Sequence, residues 1–94
     1  MSATTYLTRK EELDYNLEDK SRVVKETIIW FKYGSDTATL ISDYQDGVPT
    51  QHWMLEELIS LIQEEDIPEL ASVLAEEAKR GGLENTDYEL SFSY

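Results

Sequence analysis

Apolar and polar residues alternate strictly near the C-terminus of this chain. The apolar positions are Tyr88, Leu90, Phe92 and Tyr94, and the positions between them are acids and serines. A period of two places successive side chains on opposite faces of a strand. The pattern therefore predicts a half-buried C-terminal strand with these four side chains on one face.

A weaker alternation of Leu13, Tyr15 and Leu17 occurs near the N-terminus. It favours a strand, whereas Thr-Arg-Lys-Glu at residues 8–11 resembles a helix capping box. We expect the strand.

Residues 25–44 are expected to form a hairpin. Residues 27–33 are β-branched and aromatic, residues 34–36 (Gly-Ser-Asp) have turn chemistry, and residues 37–42 resume a strand pattern. Apolar residues on both faces of the first strand predict a central position in the sheet. The alternative is a helix over residues 21–33, with Val24, Ile28 and Phe31 on one stripe.

Two helices are predicted after a loop at residues 46–49. The first covers residues 50–65, where six apolar residues fall within one arc at about 100° per residue: Met54, Leu55, Leu58, Ile59, Leu61 and Ile62. The second follows Asp66 as capping residue, has Pro68 in its first turn and ends at Gly81. The expected fold class is therefore α+β: one small domain of 94 residues, in which two consecutive acidic helices cover one face of a mostly antiparallel sheet of three or four strands.

Charge is strongly segregated along the chain. The 20 acids outnumber the eight Lys and Arg, which gives a net charge of -12. Residues 1–32 are neutral in sum, and residues 33–78 hold eleven acids with no Lys or Arg. Phosphate and anionic lipid would repel such a chain, so we expect no direct binding to nucleic acid or membranes. The acids form either a solvated face that maintains solubility or a surface for a basic partner.

Catalytic and metal-binding motifs are missing from the sequence. There is no cysteine, a single histidine (His52) and no phosphate-binding, zinc or nucleophile motif. Adjacent Glu pairs diverge by about 100° on a helix, so they cannot act together as a dyad. We expect no enzymatic activity, no cofactor and no metal, and we place His52 at the surface of the first helical turn. Without a signal peptide or an apolar span, a cytoplasmic location is expected.

Trp53 is the aromatic residue with two different interpretations. A helix from Thr50 would project it on the acidic side, as an anchor for a partner. Alternatively, it folds back onto the loop at Val48 and Pro49. The predicted partner-binding residues are Trp53, Glu56, Glu57, Glu64, Glu65, Asp66, Glu69, Glu76 and Glu77.

Two functional hypotheses follow from this surface. In composition and charge layout, although in no motif, the chain resembles small acidic inhibitors that mimic DNA and block the basic groove of a nucleic-acid-binding protein. Many such proteins are anti-defence proteins of phages or mobile elements. Because one short helix carries too few carboxylates to imitate a duplex, both helices or a homodimer would match it better. The alternative is an acidic interaction module, such as an immunity protein, antitoxin or adaptor, that binds one partner without mimicry.

Overall fold

The computed structural model of the protein describes residues 3–16, 21–81 and 86–94. The elements follow one another in this order: β1 (Thr4–Asn16), β2 (Ser21–Tyr33), α1 (Ser35–Tyr44), β3 (Thr50–Trp53), α2 (Leu55–Leu61), α3 (Pro68–Arg80) and β4 (Thr86–Ser93). The described part is a small α+β domain with a four-stranded antiparallel sheet and three helices, which confirms the predicted fold class.

The strand order in the sheet is β2-β1-β4-β3. The two terminal strands lie side by side at its centre, with Leu7 opposite Leu90 and both fully buried. Both predicted terminal strands are confirmed, and the capping-box alternative for residues 8–11 is wrong. Tyr94 follows β4 and is exposed, whereas Leu17 lies outside the described residues.

All three helices pack on one face of the sheet and share one hydrophobic core. Each helix and the two central strands contribute to it; its largest members include Leu7, Ile41, Leu58, Leu70, Leu74, Tyr88 and Leu90. The opposite face of the sheet carries no helix among the described residues, and we call it the open face.

The prediction of a second hairpin strand at residues 37–42 is wrong, because this segment belongs to α1. Thr37, Ala38, Ile41 and Gln45 are its buried residues, and their spacing is that of one helix face. Packing of this face onto β1 and β4 overrides the β-propensity of the threonines and isoleucine. Gly34, with φ of 134°, makes the turn from β2 into α1.

The predicted strand at residues 27–33 is present as part of β2, but its predicted central position is wrong. β2 pairs only with β1 among the described elements, so it lies at the edge of the sheet. Its two-faced apolar pattern reflects a core-facing side that includes Trp30 and an open side with exposed apolar residues. The alternative of a helix over residues 21–33 is also wrong.

The predicted helix over residues 50–65 begins too early and ends too late. Residues 50–53 form β3, which pairs with β4, and α2 is only seven residues long. The second predicted helix is confirmed as α3, with Pro68 in its first turn and Gly81 at its C-cap. Asp66 does not cap it, because Ile67 occupies the N-cap and makes no side-chain cap.

Candidate protein-binding surface

Most acids of residues 33–78 lack a cationic neighbour in the described structure. Three of the eleven contact a Lys or Arg: Glu69 with Lys32 at 2.9 Å, Glu76 with Lys79 at 3.9 Å, and Glu77 with Arg9 at 3.0 Å. The other eight have no such ion pair within the described ranges. Their charge is therefore exposed to solvent and to any partner, without internal neutralisation.

Three of these acids lie around Tyr44, where α1 ends and where α2 joins α3. The Tyr44 hydroxyl, at the end of α1, donates a hydrogen bond to Asp66 Oδ2 at 3.1 Å. Burial raises the pKa of Tyr44, and this hydrogen bond and the carboxylates of Asp66, Glu65 and Asp43 raise it further. We call these side chains, together with Glu64, which precedes Glu65 in the chain, the acidic junction: Asp43, Tyr44, Glu64, Glu65 and Asp66.

Two further acids stand at the beginning of α2. Glu57 accepts a hydrogen bond from the backbone N–H of Met54 at 2.8 Å and so holds the first turn of the helix. Glu56 is exposed and makes no ion pair in the described structure. Both carboxylates are also favoured by the positive end of the helix dipole. Glu57 therefore has a structural role, and Glu56 is free to face a partner.

An apolar groove of about 290 Å³ lies between α2 and α3, beside the acidic junction. Its lining residues are Ile59, Ile62, Glu64, Ala71, Leu74 and Ala75. Ile59 is 47% exposed, although it belongs to the apolar arc of the predicted helix. An apolar centre beside carboxylates resembles the anatomy of protein interfaces, which have a hydrophobic core and a polar rim.

The structure does not place Glu77 on the partner-facing surface. Glu77 is 7% exposed and points into the core from the same helix face as Leu70 and Leu74. Arg9 Nη1 donates to both of its carboxylate oxygens at 3.0 Å, and the Tyr88 hydroxyl donates to Oε1 at 3.0 Å. The prediction that Glu77 faces a partner is therefore wrong, because α3 turns this carboxylate inward to pair with the partly buried Arg9.

This buried group continues to the surface through Glu11. The Arg9 Nε donates to Glu11 Oε1 at 3.0 Å, and Arg80 approaches Glu11 Oε2 at 3.4 Å. Desolvation opposes the charge of Arg9, but the hydrogen bonds that Arg9 donates to Glu77 and Glu11 prevail and raise its pKa. The Arg9 hydrogen bond in turn holds the pKa of Glu11 below its ordinary value. The chain of ion pairs links β1 to α3.

Trp53 is not the helical anchor that one interpretation predicted. It ends β3, is partly buried, and donates its Nε1–H to Gln45 Oε1 at 2.9 Å. Gln45 is itself buried and donates to the Val48 carbonyl at 2.9 Å. The indole is thus joined to Gln45 at the end of α1, and through Gln45 to the carbonyl of Val48, whereas the alternative interpretation predicted direct packing on Val48 and Pro49.

The remaining predicted partner-binding acids are all exposed: Glu56, Glu57, Glu64, Glu65, Asp66, Glu69 and Glu76. His52 is exposed as predicted, but it lies in β3 with Nδ1 3.1 Å from Asp87 Oδ2. The described residues contain no group of His, Asp and Glu side chains arranged to hold a metal ion. Nor does any helix in the described ranges have the length and apolar character needed to cross a membrane.

Sequence reasoning missed Asp43, Tyr44 and the exposure of Ile59. Asp43 and Tyr44 follow the strand predicted at residues 37–42, and a hairpin at residues 25–44 does not indicate their proximity to the α2–α3 junction. The available signal was the helical spacing of Thr37, Ile41 and Gln45, which was weaker than the local β-propensity. No protein family, curated protein or solved structure matches this chain.

Proposed function

We propose that the protein is a small non-enzymatic acidic binding protein that occupies the basic nucleic-acid-binding surface of a partner protein. Inhibition of the partner by imitation of nucleic acid is the expected consequence, as in anti-defence proteins of phages or mobile elements. The observation that supports the proposal is the acidic junction, where the end of α1 and the connection between α2 and α3 carry carboxylates that have no Lys or Arg ion pair in the described structure. Basic proteins that bind the phosphates of nucleic acid would be attracted to this surface.

The number of carboxylates sets the size of the imitated segment. The seven residues of α2 span about 10 Å, and a DNA duplex carries about six phosphate charges over that length. Six exposed acids lie between the start of α2 and the start of α3: Glu56, Glu57, Glu64, Glu65, Asp66 and Glu69. Their charge corresponds to about a third of a turn of duplex, so the proposed target site on the partner is a short one.

The apolar groove between α2 and α3 favours a second candidate function. An imitation of a sugar–phosphate backbone needs charge and no exposed isoleucine, whereas a specific interaction module needs a desolvated apolar contact. In that case Ile59 enters a pocket of one partner, such as the target of an immunity protein, antitoxin or adaptor, and the acids increase the association rate.

Affinity capture from a lysate of the source organism tests the proposal. We expect the immobilised protein to retain basic nucleic-acid-binding proteins, and added duplex DNA to release them. The double variant Glu64→Gln, Glu65→Gln should lose most of this capture. A matched control, Asp36→Asn with Asp87→Asn, removes the same two charges away from the junction and should capture as the wild type does.

The outcomes separate the two candidate functions. Capture that survives Glu64→Gln, Glu65→Gln contradicts any role of the acidic junction. Capture that resists duplex DNA but is lost with Ile59→Asp contradicts mimicry and supports the interaction module. Circular dichroism of each variant verifies that folding is unchanged.

A further inference from the structure

The exposed apolar residues of β2 lie together on the open face of the sheet. They are Val24, Ile28, Phe31 and Tyr33, which are 50%, 59%, 54% and 65% exposed. The register with β1 pairs Phe31 with Tyr6 and Ile28 with Thr8, and these β1 positions alternate with Leu7, which faces the core. A register shift between Leu7 and Thr8 of β1 leaves Ile29 as an extra residue in β2. Because of this extra residue, Val24 and Ile28 on one side of it and Phe31 and Tyr33 on the other side all lie on the open face.

β2 is also a long edge strand. It is 13 residues long and pairs only with β1 among the described elements, whereas the opposite edge strand β3 has four residues. Proteins usually protect an edge by shortening the strand or by placing proline and several charges on it. Residues 24–33 contain no proline and only three charged residues, Lys25, Glu26 and Lys32. A long edge beside exposed aromatic side chains is therefore suited to pairing with another strand.

We propose that a second copy of this chain pairs with β2 in an antiparallel, two-fold symmetric contact. The charge distribution favours a second copy at this edge, because residues 1–32 are neutral in sum while residues 33–78 hold eleven acids, eight of them without a Lys or Arg ion pair in the described structure. A basic partner would be drawn to the acidic helices, and a second copy would be repelled there. The edge strand is the part of the molecule where two copies meet without that repulsion.

Self-complementarity selects one register of this pairing. When Phe31 lies opposite Ile28 of the partner subunit, the same contact occurs twice about the two-fold axis, and Thr27 lies opposite Lys32 of the partner subunit. A shift by two residues instead places Lys25 opposite Lys32 of the partner subunit, again twice. Apolar pairs directly across two strands are favourable and like charges there are unfavourable, so the first register is preferred.

The resulting dimer has a continuous eight-stranded sheet. A two-fold axis normal to the sheet keeps each face on its own side, so both helix layers lie on the same side of the dimer. Both acidic junctions are then presented in one direction. The inference rests on the β2 edge alone and does not depend on the proposed function.

Cysteine cross-linking tests the register directly, since the wild-type chain has no cysteine. The variant Ile28→Cys, Phe31→Cys places a thiol opposite a thiol of the second copy. Its own two positions lie opposite Thr8 and Tyr6, about 7 Å apart along the strand and at the upper limit for an internal disulfide, so covalent dimers are identified by their mass. Mild oxidation should yield mainly covalent dimers. The matched control Val24→Cys, Ile28→Cys has equally exposed positions that do not meet in this register and should stay monomeric.

Sedimentation equilibrium tests the association without cross-linking. The wild-type chain of 10.9 kDa should sediment at about twice this mass, and Phe31→Asp should weaken dimerisation by about 30-fold or more. Ile59→Asp adds the same charge on α2 and should leave the dimer intact. A wild-type monomer at about millimolar concentration, or equal cross-linking of the two cysteine variants, would overturn the proposal.

Discussion

Glu77 and Glu76 are neighbours in sequence with opposite environments. Glu77 accepts hydrogen bonds from Arg9 and Tyr88 inside the molecule, whereas Glu76 is exposed and 3.9 Å from Lys79. A buried ion pair contributes little net stability, but removal of one partner leaves an uncompensated charge. The position of Glu77 was predictable in principle, because it lies seven residues after Leu70 and three after Leu74, on the buried stripe of α3.

We therefore expect Glu77→Ala to lower the free energy of unfolding by about 3–5 kcal/mol. Glu76→Ala is the matched control and should change it by less than about 0.5 kcal/mol. Urea denaturation of both variants measures the difference. Equal stability of the two variants would show that the ion pair between Arg9 and Glu77 does not contribute to the stability of the fold.

The stability of Trp53 variants distinguishes a packed indole from an exposed one. Its indole is partly buried and bonded to Gln45, so Trp53→Ala should lower the free energy of unfolding by about 3 kcal/mol. Trp53→Phe keeps an aromatic ring but loses the N–H donor, and should cost about 1 kcal/mol. Thermal and urea melts check both values. If Trp53→Ala lowers the free energy of unfolding by less than about 0.5 kcal/mol, the interpretation of Trp53 as an exposed anchor is supported instead.

Tyr88 should make the stability of the fold sensitive to alkaline pH. Burial raises the pKa of Tyr88, and the hydrogen bond to Glu77 raises it further. The folded state therefore retains the phenolic proton when the unfolded state loses it. This contribution to stability is complete below the ordinary tyrosine pKa of about 10 and decreases above it, by about 1.4 kcal/mol per pH unit.

Urea denaturation at about pH 9 and about pH 11 measures this dependence. The Tyr88→Phe variant lacks the ionisable group and should lose less stability over the same interval. A wild-type chain and a Tyr88→Phe variant with the same loss would exclude Tyr88 as the cause.

At the scale of secondary structure, the terminal strands and α3 were predicted correctly, whereas the apolar arc of residues 50–65 predicted a helix that is too long at both ends. The C-terminal alternation predicted β4, and the apolar stripe with Pro68 and Gly81 predicted α3. The prediction for residues 37–42 was wrong because β-branched residues favour a strand locally, while burial of Ala38 and Ile41 against the sheet favours a helix. Such contacts join residues distant in sequence, so local propensity alone could not reveal them.

Gly34 marks the point where that segment departs from a hairpin. Its φ of 134° and ψ of 138° lie in a region that L-residues with side chains rarely adopt. A Cβ at this position would meet no atom within 4 Å, so the expected effect of Gly34→Ala is purely conformational. We expect the free energy of unfolding to fall by about 1–3 kcal/mol, as measured by urea denaturation.

The adjacent exposed position provides the control for this prediction. Ser35→Ala changes the first residue of α1 without a strained backbone and should have little effect. If Gly34→Ala is as stable as Ser35→Ala, the turn from β2 into α1 does not depend on glycine.

For the whole molecule, the charge segregation visible in the sequence corresponds to a division in space. The acid-rich residues 33–78 include all of α1 and α2 and most of α3, whereas the open face and the β2 edge belong to the neutral and mixed-charge parts of the chain. Segregation along the chain could be predicted, since it is a count of residues. The meeting of α1 with the α2–α3 junction could not be predicted, because it depends on the Tyr44–Asp66 contact between distant residues.

Displacement of nucleic acid from a captured partner is the most direct test of the central claim that the acidic surface occupies a basic groove. Fluorescence anisotropy would follow a labelled duplex bound to the partner as the protein is added, with the duplex and the protein alone as the control. We predict no binding in the control, full displacement of the duplex from the partner, and weaker displacement as salt rises. Glu64→Gln, Glu65→Gln should displace it poorly. A duplex that stays bound while the protein also binds the partner would contradict the account.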